Sequence, residues 1–340
     1  MNKAKWYDRP IYVMVALALV LSVGITALPL AEIVEAVPPC QPDVWVDDTG
    51  PSCPGTGNGT QADPYCTIQE GVNHVCDGGT VHVLPGKYDG GITVVTPNVT
   101  IESIDGAQVT TVDDTSDNGF VVGAQGVTID GFTITGFGGG TTSPAPEGTG
   151  DSFEINFYHG CGIILTGGGT AHNCTIKNNI IENNGHGILI ETDNNQILYN
   201  NILNNSAVVH SGVHLSEDAS GNEIHCNNIE GNLPGVAKGA DYFYGVGNEV
   251  GGTVNGTNNY WGCSEGPGAA GCDTVIGNVT YDPWLPMEFW YCPVCGGTPP
   301  APPAPPPPRV PTVNHWGIVA MIALFAGLLV WMVRRRQVPS

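Results

Sequence analysis

NNIIENNGHGILI, residues 178–190, carries both halves of a repeat. Its last four residues, Gly187-Ile188-Leu189-Ile190, recur as Gly162-Ile163-Ile164-Leu165 and Gly212-Val213-His214-Leu215, each 25 residues from the next. Its first four, Asn178-Asn179-Ile180-Ile181, align with Asn200-Asn201-Ile202-Leu203 and Asn227-Asn228-Ile229-Glu230 at spacings of 22 and 27. Self-similarity at such a period marks a solenoid. Each unit holds at least two short strands whose alternate apolar residues one lap cannot bury alone, so successive laps must stack about 4.8 Å apart. Asn and Gly serve the bends: Asn tolerates the left-handed backbone, and its amide reaches the equivalent Asn of the next lap. The pattern predicts an all-β fold, a single-stranded right-handed parallel β-helix.

The same texture extends upstream through Thr80–Val83, Ile92–Val94, Val99–Ile101, Val109–Val112, Phe120–Val122, Val127–Ile129 and Phe132–Ile134. At roughly 22 to 25 residues per lap, residues 80–282 hold eight to ten laps. An open solenoid end is an aggregation edge and needs a cap. Residues 67–75 place Ile68, Val72 and Val75 on a helical stripe suited to closing the first lap. At the other end Asn258–Gly262 and Tyr281–Leu285 supply aromatics for closure.

Charge excludes several functions. Residues 38–308 carry 29 acidic residues against Lys87, Lys177 and Lys238, a net charge of −26, and no arginine. Such a field repels nucleic acid, phosphates and uronates and attracts cations. No nucleic-acid partner is expected.

The chain divides into four parts. Residues 1–36 read as a signal peptide, with a basic start, an apolar run and small residues before a cleavage point after Ala36; an uncleaved anchor is the alternative. Residues 40–290 form the β-helix domain with its caps, and 296–311 a Pro-rich linker. Residues 312–340 contain the apolar run Trp316 to Val333 followed by Arg334-Arg335-Arg336, a membrane helix with a basic tail that leaves the acidic domain outside the cytoplasm. Eleven cysteines in an exported chain predict disulfide staples, with Cys53 and Cys66, and Cys263 and Cys272, bracketing short loops; an odd count leaves at least one thiol over.

The opening VWVDDTG…NGTQADPYCTIQEGVNHV…GGTVHVLPGKYDGGITV resembles the N-terminal segment of pectin-lyase-like surface proteins. The Asn-rich rungs resemble the NosD-type repeat, and NNYWGCSEGPG…VTYDPWL resembles the closing segment of such proteins. The match spans about residues 43–286 and implies the fold, which hosts lyases, hydrolases, adhesins and proteins without known chemistry. VPTVNHWG, ahead of the C-terminal apolar run, resembles the head of IPTL-type sorting signals of bacterial surface proteins. That resemblance implies a sorting protease as a partner; a permanent tail anchor is the other reading.

Few residues carry a chemical signature. Gly185-His186-Gly187 resembles the catalytic histidine turn of polygalacturonases, but the acidic pairs and the Arg-Ile-Lys segment of that family are not present in order. His186 falls where Cys161 and Ser211 fall in the repeat and reads as a scaffold turn. Strand alternation turns Leu189 and Glu191 outward, beside His214 and Ser216 of the next lap. Glu191 and Asp193 are therefore the candidate catalytic carboxylates, beside His186. Glu191, Asp193, Glu217 and Asp218, with Glu230, are expected on one acidic face, where calcium is the cation that hard oxygen ligands would accept. Two irregular insertions, residues 138–160 and 233–247, bring Phe153, Phe157 and Tyr158, and Tyr242, Phe243 and Tyr244, as candidate sugar-stacking aromatics. Six Asn-x-Ser/Thr sites occur, at Asn58, Asn98, Asn173, Asn204, Asn255 and Asn278.

These features predict an exported, non-catalytic surface protein for adhesion, glycan contact or envelope structure, needing no cofactor. Its expected partners are an extracellular glycan or surface ligand and, through the C-terminal helix, the membrane. A polysaccharide hydrolase or lyase is the alternative.

Overall fold

The computed structural model describes residues 40–289 and Cys295, apart from 56, 114–117, 139–159, 167, 169, 207–211, 217–218, 233–244 and 250. The signal segment 1–36, the linker 296–311 and the tail 312–340 lie outside the described residues. Among the described residues no helix is long and apolar enough to cross a membrane.

The chain winds as a parallel β-helix with three sheets. A nine-stranded sheet runs from Gln41–Val46 to Val279–Thr280, a seven-stranded sheet from Ile92–Val94 to Val275–Ile276, and a six-stranded sheet from Gly86–Tyr88 to Asn228–Glu230. The strands within each sheet pair in parallel. One lap passes through Thr175–Lys177, Ile180–Glu182 and His186–Ile190, a strand of the nine-, six- and seven-stranded sheets in turn. Each lap thus has three strands, where the spacing required at least two.

The core follows from the pleat. Ile163, Ile188 and Val213 lie in register in the seven-stranded sheet, as the 25-residue spacing predicts, and Val246 continues the column. Ile129, Ile176, Ile197 and Ile224 form the equivalent column of the nine-stranded sheet, and Ile134, Ile181, Ile202 and Ile229 that of the six-stranded sheet. All twelve are fully buried. Each contributes roughly 1.5 to 3 kcal/mol by leaving water, so the interior columns dominate the stability of the solenoid.

The corners explain the asparagines. Asn178, Tyr199, Cys226 and Asn258 turn one corner with φ of 57°, 58°, 57° and 58°, and Asn183, Asn204 and Gly231 turn the next with φ of 55°, 53° and 68°. The residue after each is a buried Asn that faces inward: Asn179, Asn200, Asn227 and Asn259 at the first corner, Asn184, Asn205 and Asn232 at the second. These amides stack. Asn179 Nδ2 donates to Asn200 Oδ1 at 3.1 Å, Asn200 to Asn227 at 3.0 Å, and Asn227 to Asn259 at 3.0 Å. In the second stack Asn184 donates to Asn205 at 3.1 Å, Asn205 to Asn232 at 2.9 Å, and Asn232 to the carboxylate of Asp273 at 2.7 Å. At their N-terminal ends the stacks accept the backbone N–H of Phe132 and Phe137.

This register corrects one spacing. Ile180 pairs with Asn201 and Ile181 with Ile202, so Asn179 matches Asn200 at 21 residues, where the Asn-Asn pairs suggest 22. A slip of one residue would turn Ile202 out to solvent.

Glycines at the start of the seven-stranded sheet's strands are required by close approach. A Cβ at Gly187 would stand 2.5 Å from the Gly212 carbonyl and 3.0 Å from Asn205 Nδ2, whereas one at Gly251 would meet nothing within 4 Å. Gly187→Ala is expected to lower the unfolding free energy by about 1 to 3 kcal/mol, because strand and ladder must part to admit a methyl group. Gly251→Ala should leave the urea midpoint where it is; equal midpoints for the two variants would contradict the packing described.

Both ends are closed. Helix α1 (Ile68–His74) opens on a capping box formed by Thr67 and Glu70, and buries Ile68 and Val72 together with Val75 beyond it. The first strand is flanked by residues 59–65, with Trp45 N–H donating to Gly59 and Tyr65 N–H to Trp45, each at 2.9 Å. At the far end Trp261, Leu285 and Phe289 are buried, but Tyr281 is 38% exposed and takes no part in the closure expected of it. Disulfides join Cys40 to Cys76, Cys53 to Cys66, Cys226 to Cys295 and Cys263 to Cys272. Cys295 is thus bonded to a distant lap, and Cys161 and Cys174 are buried outside any disulfide. Four staples fit an oxidising compartment outside the cytoplasm.

Candidate functional site

The seven-stranded sheet differs from the others in that its central strands are dry on both faces. Every residue of Cys161–Leu165 and of His186–Ile190 is buried, while the outward residues of Thr175–Lys177 and Ile180–Glu182 are only half-buried. Behind the core columns, Cys161, Ile164 and Leu189 form a second apolar cluster with Val121 packed against it. His186 lies in register with Cys161, and His214 with Leu189. The two imidazoles are 5% and 3% exposed and stack with their centroids 6.3 Å apart.

Glu191 and Glu249 edge this cluster. The pairing of Leu165, Ile190, Leu215 and Asn248 continues into the next residues, so Thr166, Glu191, Ser216 and Glu249 form one column. The ladder bonds from Glu191 N to Leu165 O, Ser216 N to Ile190 O and Glu249 N to Leu215 O, at 2.9, 3.0 and 3.0 Å, hold it in line. Glu191 Oε2 accepts a hydrogen bond of 2.5 Å from Thr166 Oγ1. Glu249 Oε2 lies 3.4 Å from His214 Nε2. Two laps separate the carboxylates, a backbone distance of about 9.6 Å. Burial, reinforced by the charge of Glu191, pushes the Cys161 thiol up to about 12. It stays protonated at neutral pH and is no nucleophile.

The structure brings together only part of the predicted set. His186 is not the turn that the repeat suggested: it opens the strand His186–Ile190 and pairs with Cys161, and Glu191 follows that strand on the outward side, as alternation requires. Asp193 turns away to the next corner, where its Oδ1 accepts from Ser220 N at 2.6 Å and Ser220 Oγ at 2.7 Å. Those two bonds hold its carboxyl below the usual range. Glu230 belongs to the six-stranded sheet and so leaves the expected acidic face. Glu217 and Asp218 lie outside the described residues, as do Phe153, Phe157, Tyr158, Tyr242, Phe243 and Tyr244. The two long insertions nevertheless enter at one corner, since 139–159 and 233–244 both connect a strand of the six-stranded sheet to one of the seven-stranded sheet. Among the described residues the one trio of close candidate ligand atoms is Cys263, Glu265 and Cys272, and its two sulfurs are joined in a disulfide. Lys87 pairs with Asp113 at 2.8 Å and Lys177 with Asp130 at 3.2 Å.

Sequence reasoning missed Glu249. The insertion before it stretches the step from Val213 to Val246 to 33 residues, so the 25-residue period no longer points to it.

No protein-family model matches the chain, and no curated protein does. Among solved structures it is similar to pectate lyase Pel9A, at 13% identity and a TM-score of 0.37 over 73% of this chain and 79% of that one. It is also similar to a pectin methylesterase crystallised with a hexasaccharide, at 9% identity and a TM-score of 0.33 over 71% and 78% of the two chains. The pectin methylesterase from Aspergillus niger gives 11% identity and a TM-score of 0.30 over 73% and 81%. The fold assignment rests on the strand register itself.

Proposed function

We propose that this is a non-catalytic cell-surface protein: a right-handed β-helix of NosD-type repeats, exported by residues 1–36 and carried on the stalk 296–311. Residues 312–340 would anchor it or, as an IPTL-like signal, pass it to a sorting protease. Its role would be adhesion, glycan contact or envelope structure. The observation that carries this reading is that, among the described residues, Glu191, Asp193, Lys87 and Lys177 are tied to the scaffold. Asp193 holds the next corner through Ser220, Glu191 is tied to Thr166, and Lys87 and Lys177 are paired with Asp113 and Asp130, so among the described residues each lysine already has a carboxylate partner. The aromatic insertions at one corner are the recognition elements in this reading, and no cofactor is needed. Presented with a panel of soluble glycans, the exported protein is expected to retain some of them and release no products.

The second reading, a polysaccharide hydrolase, is favoured by one arrangement. Glu191 and Glu249 flank Ser216 on one column, and inverting hydrolysis needs two carboxyls about 6.5 to 9.5 Å apart across the sugar. His214 beside Glu249 would orient one of them. Product release from any glycan, reduced roughly 100-fold or more by either Glu191→Gln or Glu249→Gln, would establish this reading and overturn the first.

A further inference from the structure

We propose that Asn58 and Asn255 are N-glycan acceptors, the two among the six Asn-x-Ser/Thr sites whose side chains stand ready for transfer. At Asn58 the Oδ1 accepts from Thr60 Oγ1 at 2.7 Å and from Thr60 N at 3.1 Å. At Asn255 it accepts from Thr257 Oγ1 at 2.9 Å and from Thr257 N at 3.2 Å. In both, the hydroxyl two residues on closes a turn over the carboxamide oxygen, which polarises the amide and turns its Nδ2 away from the backbone. Asn58 is exposed and Asn255 half-buried.

The other sites are employed in the scaffold. Asn98 Nδ2 donates to Asp77 at 2.8 Å, and Asn278 Nδ2 donates to Thr253 Oγ1 at 2.7 Å. Asn98, Asn173 and Asn204 are left-handed corner residues, with φ of 56°, 56° and 53°. At Asn98 and Asn173 the Asn-x-Thr pattern arises because a corner asparagine precedes a strand that opens on Thr100 or Thr175, and it needs no modification to explain it.

The donor would be an oligosaccharide held through a pyrophosphate on a lipid, used by a transferase on the export side of the membrane. The Asn Nδ2 attacks the anomeric carbon, the carbon–oxygen bond to the pyrophosphate breaks, and the nitrogen–carbon bond forms. One Nδ2 proton passes to a base of the transferase, and the lipid diphosphate leaves with the bonding electrons.

The positions have a consequence for assembly. Asn58 adjoins Gly59, whose carbonyl pairs with Trp45 on the first strand of the nine-stranded sheet, and Asn255 lies on its penultimate strand. Glycans there would flank both ends of one sheet and hinder end-on pairing of solenoids, the hazard that open edges create.

Glycopeptide mass spectrometry on the full chain from the cells that export it tests the assignment. The Asn58 and Asn255 peptides are expected to carry glycan and the Asn98 and Asn278 peptides none. Thr60→Ala and Thr257→Ala, which leave both asparagines in place, should each remove one glycan mass while export of the chain continues. Unmodified Asn58 and Asn255, or glycan on Asn98 or Asn278 instead, would overturn it.

Discussion

Asn200→Ala is expected to lower the unfolding free energy by about 3 to 5 kcal/mol, more than a typical substitution. Its Oδ1 accepts from both the backbone N–H and the Nδ2 of Asn179, at 3.0 and 3.1 Å, and its Nδ2 donates to Ile176 O at 2.8 Å and to Asn227 Oδ1 at 3.0 Å. All of these groups are buried in the solenoid, out of reach of water. Alanine removes one amide and takes a partner from three neighbouring residues, leaving the buried backbone N–H of Asn179 without its acceptor and its own amide contacts with Ile176 and Asn227 unreplaced. Such orphaned groups forfeit their hydration without return, at about 1 to 3 kcal/mol each. Asn178→Gly is the control. Asn178 turns the corner at φ 57° and makes one exposed bond to Asp130, so glycine keeps the backbone and loses little. Urea unfolding monitored by far-UV circular dichroism should separate the two variants clearly; comparable midpoints would show that the amide stack contributes nothing special.

At the end of the second stack, Asp273→Asn is expected to stabilise the protein above pH 6 and to have no such effect below pH 4. Burial pushes the Asp273 carboxyl up to about 6, outweighing the hydrogen bonds from Asn232 and Gly231 that favour the charge, and the nearby Glu230 adds to the rise. A raised carboxyl binds its proton more tightly in the folded state. Its contribution to stability is therefore full below the ordinary value of 3.8 and is lost as pH rises through about 6. A rise of that size is worth roughly 3 kcal/mol. The variant recovers less than this, roughly 1 to 2 kcal/mol, since its amide NH2 must face the Gly231 N–H that the carboxylate now accepts. Thermal melts of both proteins from pH 4 to pH 8 should diverge between pH 4 and 6 and run parallel above. Curves that converge as pH rises would reverse the sign and refute the assignment.

The fold was legible because the interior repeats more faithfully than the exterior. Ile163, Ile188 and Val213 mark one column at constant spacing, since a side chain that fills a stacked core has few substitutes. The corner code was only half visible. Asn-Asn reads as a unit, but its members have separate tasks, the first turning left-handed and the second entering the stack. Where the first task falls to Tyr199 or Cys226, the visible pair Asn200-Asn201 or Asn227-Asn228 is shifted by one, and the counted spacing slips with it. The candidate site was legible in part as outward-facing residues of strands, in Glu191 and His214, whereas His186, which read as a turn, opens a strand. Glu249 was not, because it follows an insertion, nor was Asp273 at the end of the second stack, because it follows the Cys263–Cys272 loop outside the repeat. Neither obeys a period.

The amide stacks also run one way: every NH2 reaches toward the C-terminal neighbour and every oxygen receives from the N-terminal one. A duplicated turn spliced between Asn179 and Asn200 would offer an acceptor on one side and a donor on the other, the same contacts already present there. Length is therefore an adjustable dimension of this molecule, lengthening in increments of about 4.8 Å without any new interior chemistry.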